Sequence, residues 1–327
     1  MIEKPLISGC MLRIHHLFNK LTRFMPKAAS SSGCFSIKAL LGRCTLCIFF
    51  LILQHSHVQA SSGTSEHETL RFGRVGVEDP TVTLSKYQPL ISKLGDVLEK
   101  RVELVQTATY MEMQNLFISG RVHLGILNAF SYVLMGREAR LLPVAKRMVG
   151  TDGYYRCYII ANRNLDVTGI ADLKGRTFAF SEQTSTTGYL LPMLLLREHG
   201  INPETDFSKT ISIYQHDSII LAVANWSVDI ASVASYVFDG YDKRITNKIK
   251  IIEKSAPIPL GPLVVRNDLG MELIDKIRNF FLTLHQSETG QSLLKEAGLS
   301  RFAPVADGEY DAIREAAARF DKEVPSK

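Results

Sequence analysis

From residue 70 onward the apolar positions follow two patterns: short uninterrupted runs between polar or glycine-containing turns, and longer stretches in which they recur every third or fourth residue. The runs predict strands over 70–77, 102–105, 122–127, 142–149, 155–161, 177–180, 211–214, 228–233 and 261–265. The periodic stretches predict helices over 84–100, from 187 through the face Leu190, Met193 and Leu194, over 218–225, and near 269–287, 290–297 and 307–321. Such alternation argues for α/β layers, and the run 228–233 reads as a strand in a parallel sheet buried on both faces.

The junction after strand 177–180 carries the strongest chemical signal. It reads Ser181-Glu-Gln-Thr-Ser-Thr-Thr-Gly-Tyr-Leu-Leu-Pro192, a cluster of hydroxyls and a glycine where an apolar strand gives way to a helix. The first N–H groups of a helix have no carbonyl partner and its macrodipole is positive there, so with the hydroxyls of Ser185, Thr186 and Thr187 the junction suits a tetrahedral oxyanion. A single Ser or Thr would have sufficed for an ordinary N-cap. A second strand-to-helix junction, Gln215-His216-Asp217, follows strand 211–214 and offers His216 as a donor. In open α/β sheets ligands bind beyond the carboxyl ends of the strands, which is where both junctions fall.

The order of segments carries a resemblance. Asp172-Leu-Lys-Gly-Arg-Thr-Phe-Ala-Phe180, then Ser185-Thr-Thr-Gly-Tyr-Leu-Leu-Pro192, then His216-Asp217, then Ala222-Val-Ala-Asn-Trp-Ser-Val-Asp229 resembles the substrate-binding proteins of phosphate, phosphite and phosphonate ABC transporters. That family usually reads Ser-Thr-Ser-Gly where this chain has Ser185, Thr186, Thr187 and Gly188. Upstream, 110–125 and Asn128-Ala-Phe-Ser-Tyr132 are similar to the family; downstream, 257–266 and 307–314 are, so the likeness runs from Leu70 to about Arg314. The resemblance implies a type II periplasmic binding fold, two α/β lobes joined by two crossover strands. Lobe 1 would comprise 61–157 with 259–327, and lobe 2 158–258. It also implies that a phosphorus oxyanion (phosphate, phosphite or phosphonate) is captured between the lobes for the membrane permease of an ABC importer.

Within that frame the ligand-binding residues are Ser185, Thr186, Thr187 and Gly188 through hydroxyls and backbone N–H groups, His216 from the neighbouring strand end, and Tyr110 and Asn128 from the opposite lobe. Ser131 and Tyr132 are secondary candidates. Arg74, Glu78 and Asp79 are expected in a solvated loop at the mouth, leaving neutral donors to hold the anion and, without a fixed Lys or Arg, to release it. Family members that take aminoalkylphosphonates need carboxylates for the ammonium end. The segment 232–236 has none and Asp239 lies a turn further on, which favours phosphate, phosphite or a short alkylphosphonate.

Composition divides the chain in two. Residues 1–60 hold seven of its 38 Lys and Arg and one of its 33 Asp and Glu, so the basic excess belongs to the leader and gives no reason to invoke nucleic acid. The apolar run 45–53 is too short to span a bilayer and is followed by a polar stretch ending Val58-Gln-Ala60, the pattern of a signal peptide cleaved after Ala60. The start codon stays open among Met1, Met11 and Met25. Four of the five cysteines lie in this leader, which leaves Cys157 as a buried small residue with no disulfide and no cysteine metal site. The product is therefore expected to be a secreted, periplasmic, monomeric binding protein with no metal, cofactor or catalytic residue. A sensor subunit feeding a receptor kinase would use the same fold. A hydrolase built on Ser185, His216 and Asp217 lacks the Gly-x-Ser-x-Gly elbow.

Overall fold

The structure, a computed structural model, describes residues 69–76, 80–136, 138–151 and 153–323. The leader 1–60, its cysteines, and Glu78 and Asp79 lie outside the described residues. In chain order the elements are β1 (Thr69–Val75), α1 (Pro80–Leu98), β2 (Arg101–Thr107), α2 (Tyr110–Ile118), β3 (Leu124–Ile126), α3 (Ala129–Met135), β4 (Leu141–Met148), β5 (Tyr154–Tyr155), β6 (Cys157–Asn162) and β7 (Thr177–Phe180). A wide turn over Thr186–Leu190 then leads into α4 (Leu191–Glu198), followed by β8 (Lys209–Ser212), α5 (His216–Ala224), β9 (Ile230–Ala234), α6 (Ser235–Gly240), α7 (Lys243–Thr246), β10 (Ile249–Lys254), β11 (Ile258–Pro259) and β12 (Pro262–Arg266). The chain closes with α8 (Met271–Thr283), α9 (Glu288–Glu296), β13 (Arg301–Ala303) and α10 (Asp311–Glu323).

Two mixed sheets form the layers. One has the order β13-β4-β12-β3-β1-β2, the other β10-β6-β9-β7-β8, and the short strands β5 and β11 pair antiparallel where the chain passes between them. In the first sheet β1 runs parallel to β2 and β3, with Gly73 directly opposite Gly125. Gly125 must be glycine, because a Cβ there would stand 2.4 Å from the Gly73 carbonyl oxygen; a Cβ on Gly73 would meet side chains instead, Met113 Sδ at 2.5 Å, which would have to move. In this register Arg74 pairs with Ile126, so Arg74 and Asn128 both lie at the carboxyl ends of adjacent strands. Helix α1 covers the sheet with Tyr87, Leu90, Ile91, Leu94 and Leu98, the three-and-four spacing of an amphipathic helix.

The second sheet differs from the sequence expectation, since β9 is parallel to β7 but antiparallel to β6. The added strand is β10, antiparallel to β6. Its Lys250, Glu253 and Lys254 interrupt the apolar run, as suits a partly exposed edge strand. The rings of Phe178, Phe180 and Phe207 anchor the core on one face, with centroids 4.3 and 4.9 Å from that of Phe178. Helix α10 bridges the layers: Ile313 and Ala317 share a core with Tyr132, Leu190 and Leu194, Phe320 meets Tyr189 at 5.7 Å, and Arg319 pairs with Glu198 at 2.7 Å. Trp226, just beyond the end of α5, is 49% exposed and is not among the residues that line the cavity between the sheets.

Candidate anion site

Ser185 caps the wide turn in an extended conformation (φ −80°, ψ 131°), and its Oγ accepts the Gly188 N–H at 3.1 Å. The turn is closed by bonds spanning five residues, Leu190 N–H to the Ser185 carbonyl and Leu191 N–H to that of Thr186. In the first turn of such a helix the N–H groups of Thr186 and Thr187 have no intrahelical acceptor. Gly188 serves the loop from behind. Its N–H is taken by Ser185, its carbonyl accepts from Ser181 N–H and Ser232 Oγ, and a Cβ there would lie 2.2 Å from Ser181 Cβ. Among the lining side chains Gly188 therefore has no place. Cys157, buried with its thiol pushed up by desolvation, donates Sγ–H to the Thr187 carbonyl at 3.2 Å and supports the loop from below.

Thr186 and Asn128 are spent largely on each other. The Thr186 hydroxyl donates to Asn128 Oδ1 at 2.9 Å and accepts the Phe130 N–H at 3.0 Å. Asn128, the cap of α3, also accepts from Ser131 N–H at 2.8 Å and donates to the Thr184 carbonyl at 3.1 Å. Both residues line the cavity, but their polar atoms chiefly fasten one sheet's loop to the other's. Ser131 joins this network through the Thr184 carbonyl, and Tyr132 turns away to donate to Asp307. Asp239 also points elsewhere, accepting from the Tyr158 hydroxyl at 3.2 Å.

Ser185, Thr187, His216 and Tyr110 meet at the same cavity, between the ends of β1, β4, β7 and the start of α5. His216 is 4% exposed, its Nδ1 has no partner, and burial pushes its pKa down to about 4. At neutral pH the ring is uncharged and offers one donor and one acceptor. Burial, with Tyr236 beside it, pushes the Tyr110 phenol up to about 12, and burial likewise raises that of Tyr155, so both present O–H donors.

Sequence reasoning placed no fixed cation here, and the structure corrects that. Arg74 and Arg147 line the cavity, 7% and 6% exposed, and the Nε of each is buried without a hydrogen bond. Arg74 lies buried within β1 and not in the solvated loop expected for it, with its guanidinium 5.1 Å over the Tyr87 ring. Burial opposes its charge, but the surrounding phenols Tyr87, Tyr236 and Tyr110 more than compensate and raise its pKa. No carboxylate lines the cavity among the described residues. Two guanidiniums, phenols, hydroxyls, free N–H groups and a neutral imidazole converge on this one small cavity, a donor set suited to an anion.

The family of periplasmic substrate-binding proteins of phosphonate ABC transporters matches residues 72–310. The chain belongs to this family. Within reach of it, the phosphate-import protein PhnD of Mycolicibacterium smegmatis is 28% identical over 288 residues, 78% of this chain and 87% of the relative. The phosphonates-binding periplasmic protein of Escherichia coli is 29% identical over 175 residues, 51% of each chain. In structure, PhnD1 of Prochlorococcus marinus, solved in complex with methylphosphonate, aligns with a TM-score of 0.72 at 18% identity, covering 78% of this chain and 99% of that one. The shared architecture is that of the periplasmic binding proteins. No helix among the described residues is long and apolar enough to cross a membrane.

Proposed function

We propose that this binding protein captures one tetrahedral phosphorus oxyanion, with phosphate, phosphite or a short alkylphosphonate favoured over an aminoalkylphosphonate, and delivers it to the permease of an ABC importer. The observation that carries the reading is the pair of buried, carboxylate-free arginines facing the hydroxyl loop. Arg74 and Arg147 supply the counter-charge; Ser185 Oγ, the Thr187 hydroxyl and the N–H groups of Thr186 and Thr187 supply directed donors. Tyr110, Tyr155 and His216 close the shell. A ligand ammonium would meet two guanidiniums and no acid, a costly pairing in a buried cavity.

Capture is read as closure of two lobes, 61–157 with 259–327 against 158–258, about the β5 and β11 pairing, with residues 1–60 removed on secretion. Helix α10, which touches both layers, would then slide or flex during opening. A hydrolytic reading finds little support: Ser185 Oγ accepts from Gly188, His216 Nδ1 has no acid to orient it, and Asp217 accepts from Ser218 N–H at 2.7 Å. A sensor role would use the same capture step and differ only in the partner.

Titration calorimetry with phosphate, phosphite, methylphosphonate, aminoethylphosphonate and sulfate tests the proposal. One site per chain is expected, with the amine-bearing ligand weakest among the phosphorus compounds. Ser185→Ala and His216→Ala should each weaken binding about tenfold to a hundredfold, the worth of a hydrogen bond to a charged group, against an unchanged Lys322→Ala control. Binding of aminoethylphosphonate alone, or of no phosphorus compound, would overturn the assignment.

A further inference from the structure

Helix α2 begins with three N–H groups that need acceptors, and all three are accounted for. Glu112 N–H goes to the cap Thr109 Oγ at 3.1 Å. Tyr110 N–H and Met111 N–H go to the two carboxylate oxygens of Glu182, at 2.6 and 2.7 Å. Glu182 belongs to the other sheet's hydroxyl loop, is 9% exposed, and also accepts from the Thr184 hydroxyl at 3.2 Å. A carboxylate thus sits on the positive end of a helix dipole with both oxygens engaged, the strong class of hydrogen bond.

We infer that Glu182 is a positioning residue that clamps the hydroxyl loop to the helix bearing Tyr110 and biases the cleft towards closure before any anion arrives. The inference rests on the proposed two-lobe closure. Tyr110 is the first residue of α2 and its phenol lines the cavity, so the clamp fixes a ligand-facing side chain through its own backbone N–H. Glu182 makes no contribution to the cavity wall itself. Its bonds cross between layers and exist only while the loop and α2 are in contact, so they contribute to the closed arrangement and not to the open one. A protein whose competent state is only partly populated binds with an affinity reduced by that fraction, and Glu182 raises the fraction. The neighbouring bonds of Asn128 to Thr184 and Phe130 to Thr186 add to the same contact.

The test compares wild type, Glu182→Gln and Glu182→Asp by small-angle X-ray scattering without ligand. Gln keeps one acceptor oxygen but turns the other into a donor that faces an N–H; Asp keeps the charge on a shorter arm. The radius of gyration of ligand-free Glu182→Gln should exceed that of wild type, with Glu182→Asp between them, and saturating phosphate should bring all three to one value. By stopped flow, phosphate should leave Glu182→Gln about tenfold faster with a similar on-rate. Equal ligand-free radii for wild type and both variants would overturn the inference. Because that comparison needs no ligand, it stands even if phosphate proves to be the wrong anion.

Discussion

Replacing Arg147 by Met should move affinity and ligand-free stability in opposite directions. Arg147 lies in β4, is 6% exposed and leaves Nε without a partner, and no carboxylate shares its cavity. With an anion bound, a guanidinium fork would donate one or two charge-assisted bonds of about 1.5–3 kcal/mol each, so its loss should weaken binding by roughly tenfold to ten-thousandfold. Without the anion the same group is a desolvated charge, and Met of similar length removes it. Exchanging buried ionic groups for apolar ones of like volume often stabilises a fold by about 1–4 kcal/mol. For a domain of this size each kcal/mol shifts Tm by about 2–4 °C. Calorimetry with phosphate and a thermal melt of the ligand-free protein read the two effects, and Arg147→Lys, which keeps the charge without the fork, should fall between on affinity. An unchanged Kd, or a ligand-free Tm that falls by several degrees together with affinity, would refute the claim that Arg147 is an anion-facing charge without a structural partner.

His216 gives a pH signature whose sign follows from its burial. Its folded pKa of about 4 lies below the ordinary 6.5, so as pH falls from 6.5 towards 4 the unfolded chain takes up a proton that the folded one refuses. Up to about 3 kcal/mol of stability is lost across that window and none further below it. Urea titrations from pH 7 to 4 should show this slope in wild type and lose it in His216→Gln; parallel slopes would refute it. Gly188→Ala should cost about 1–3 kcal/mol and weaken phosphate binding, because its methyl would collide with Ser181 Cβ, and Ser181→Gly in the same chain should recover most of both, read by thermal melt and calorimetry. A single variant that melts and binds like wild type would show that the loop is not packed as described.

Much of the layer order was legible because it depends on patterns that repeat, strands as apolar runs and helices as spaced stripes, and the hydroxyl loop was legible because it breaks them. Arg74 left a signal that alternation could have found. It shares the parity of Leu70 and Phe72 in β1, so an inward-facing arginine at the carboxyl end of a strand was written in the chain. Arg147 was less readable. The pairing of β4 with β12 slips at Leu263 and Val264, Val144 and Ala145 are both buried, and the simple two-residue period fails there. The pairing of Thr186 with Asn128 and of Glu182 with Tyr110 joins residues dozens of positions apart, which no local pattern encodes.

The wide turn at 186–190 sets the rotational phase of everything after it. Each ordinary helical position advances a side chain by about 100°, so a turn closed over five residues carries one residue more than the regular step. That surplus lets the polar stretch Ser185 to Thr187 face the cavity while Leu190, Met193, Leu194 and Leu196 still reach the core. Deleting one residue from the turn would leave composition almost untouched, yet swing the whole apolar stripe of α4 a quarter of the way round its axis. The loop's length is thus as strict a requirement as its hydroxyls.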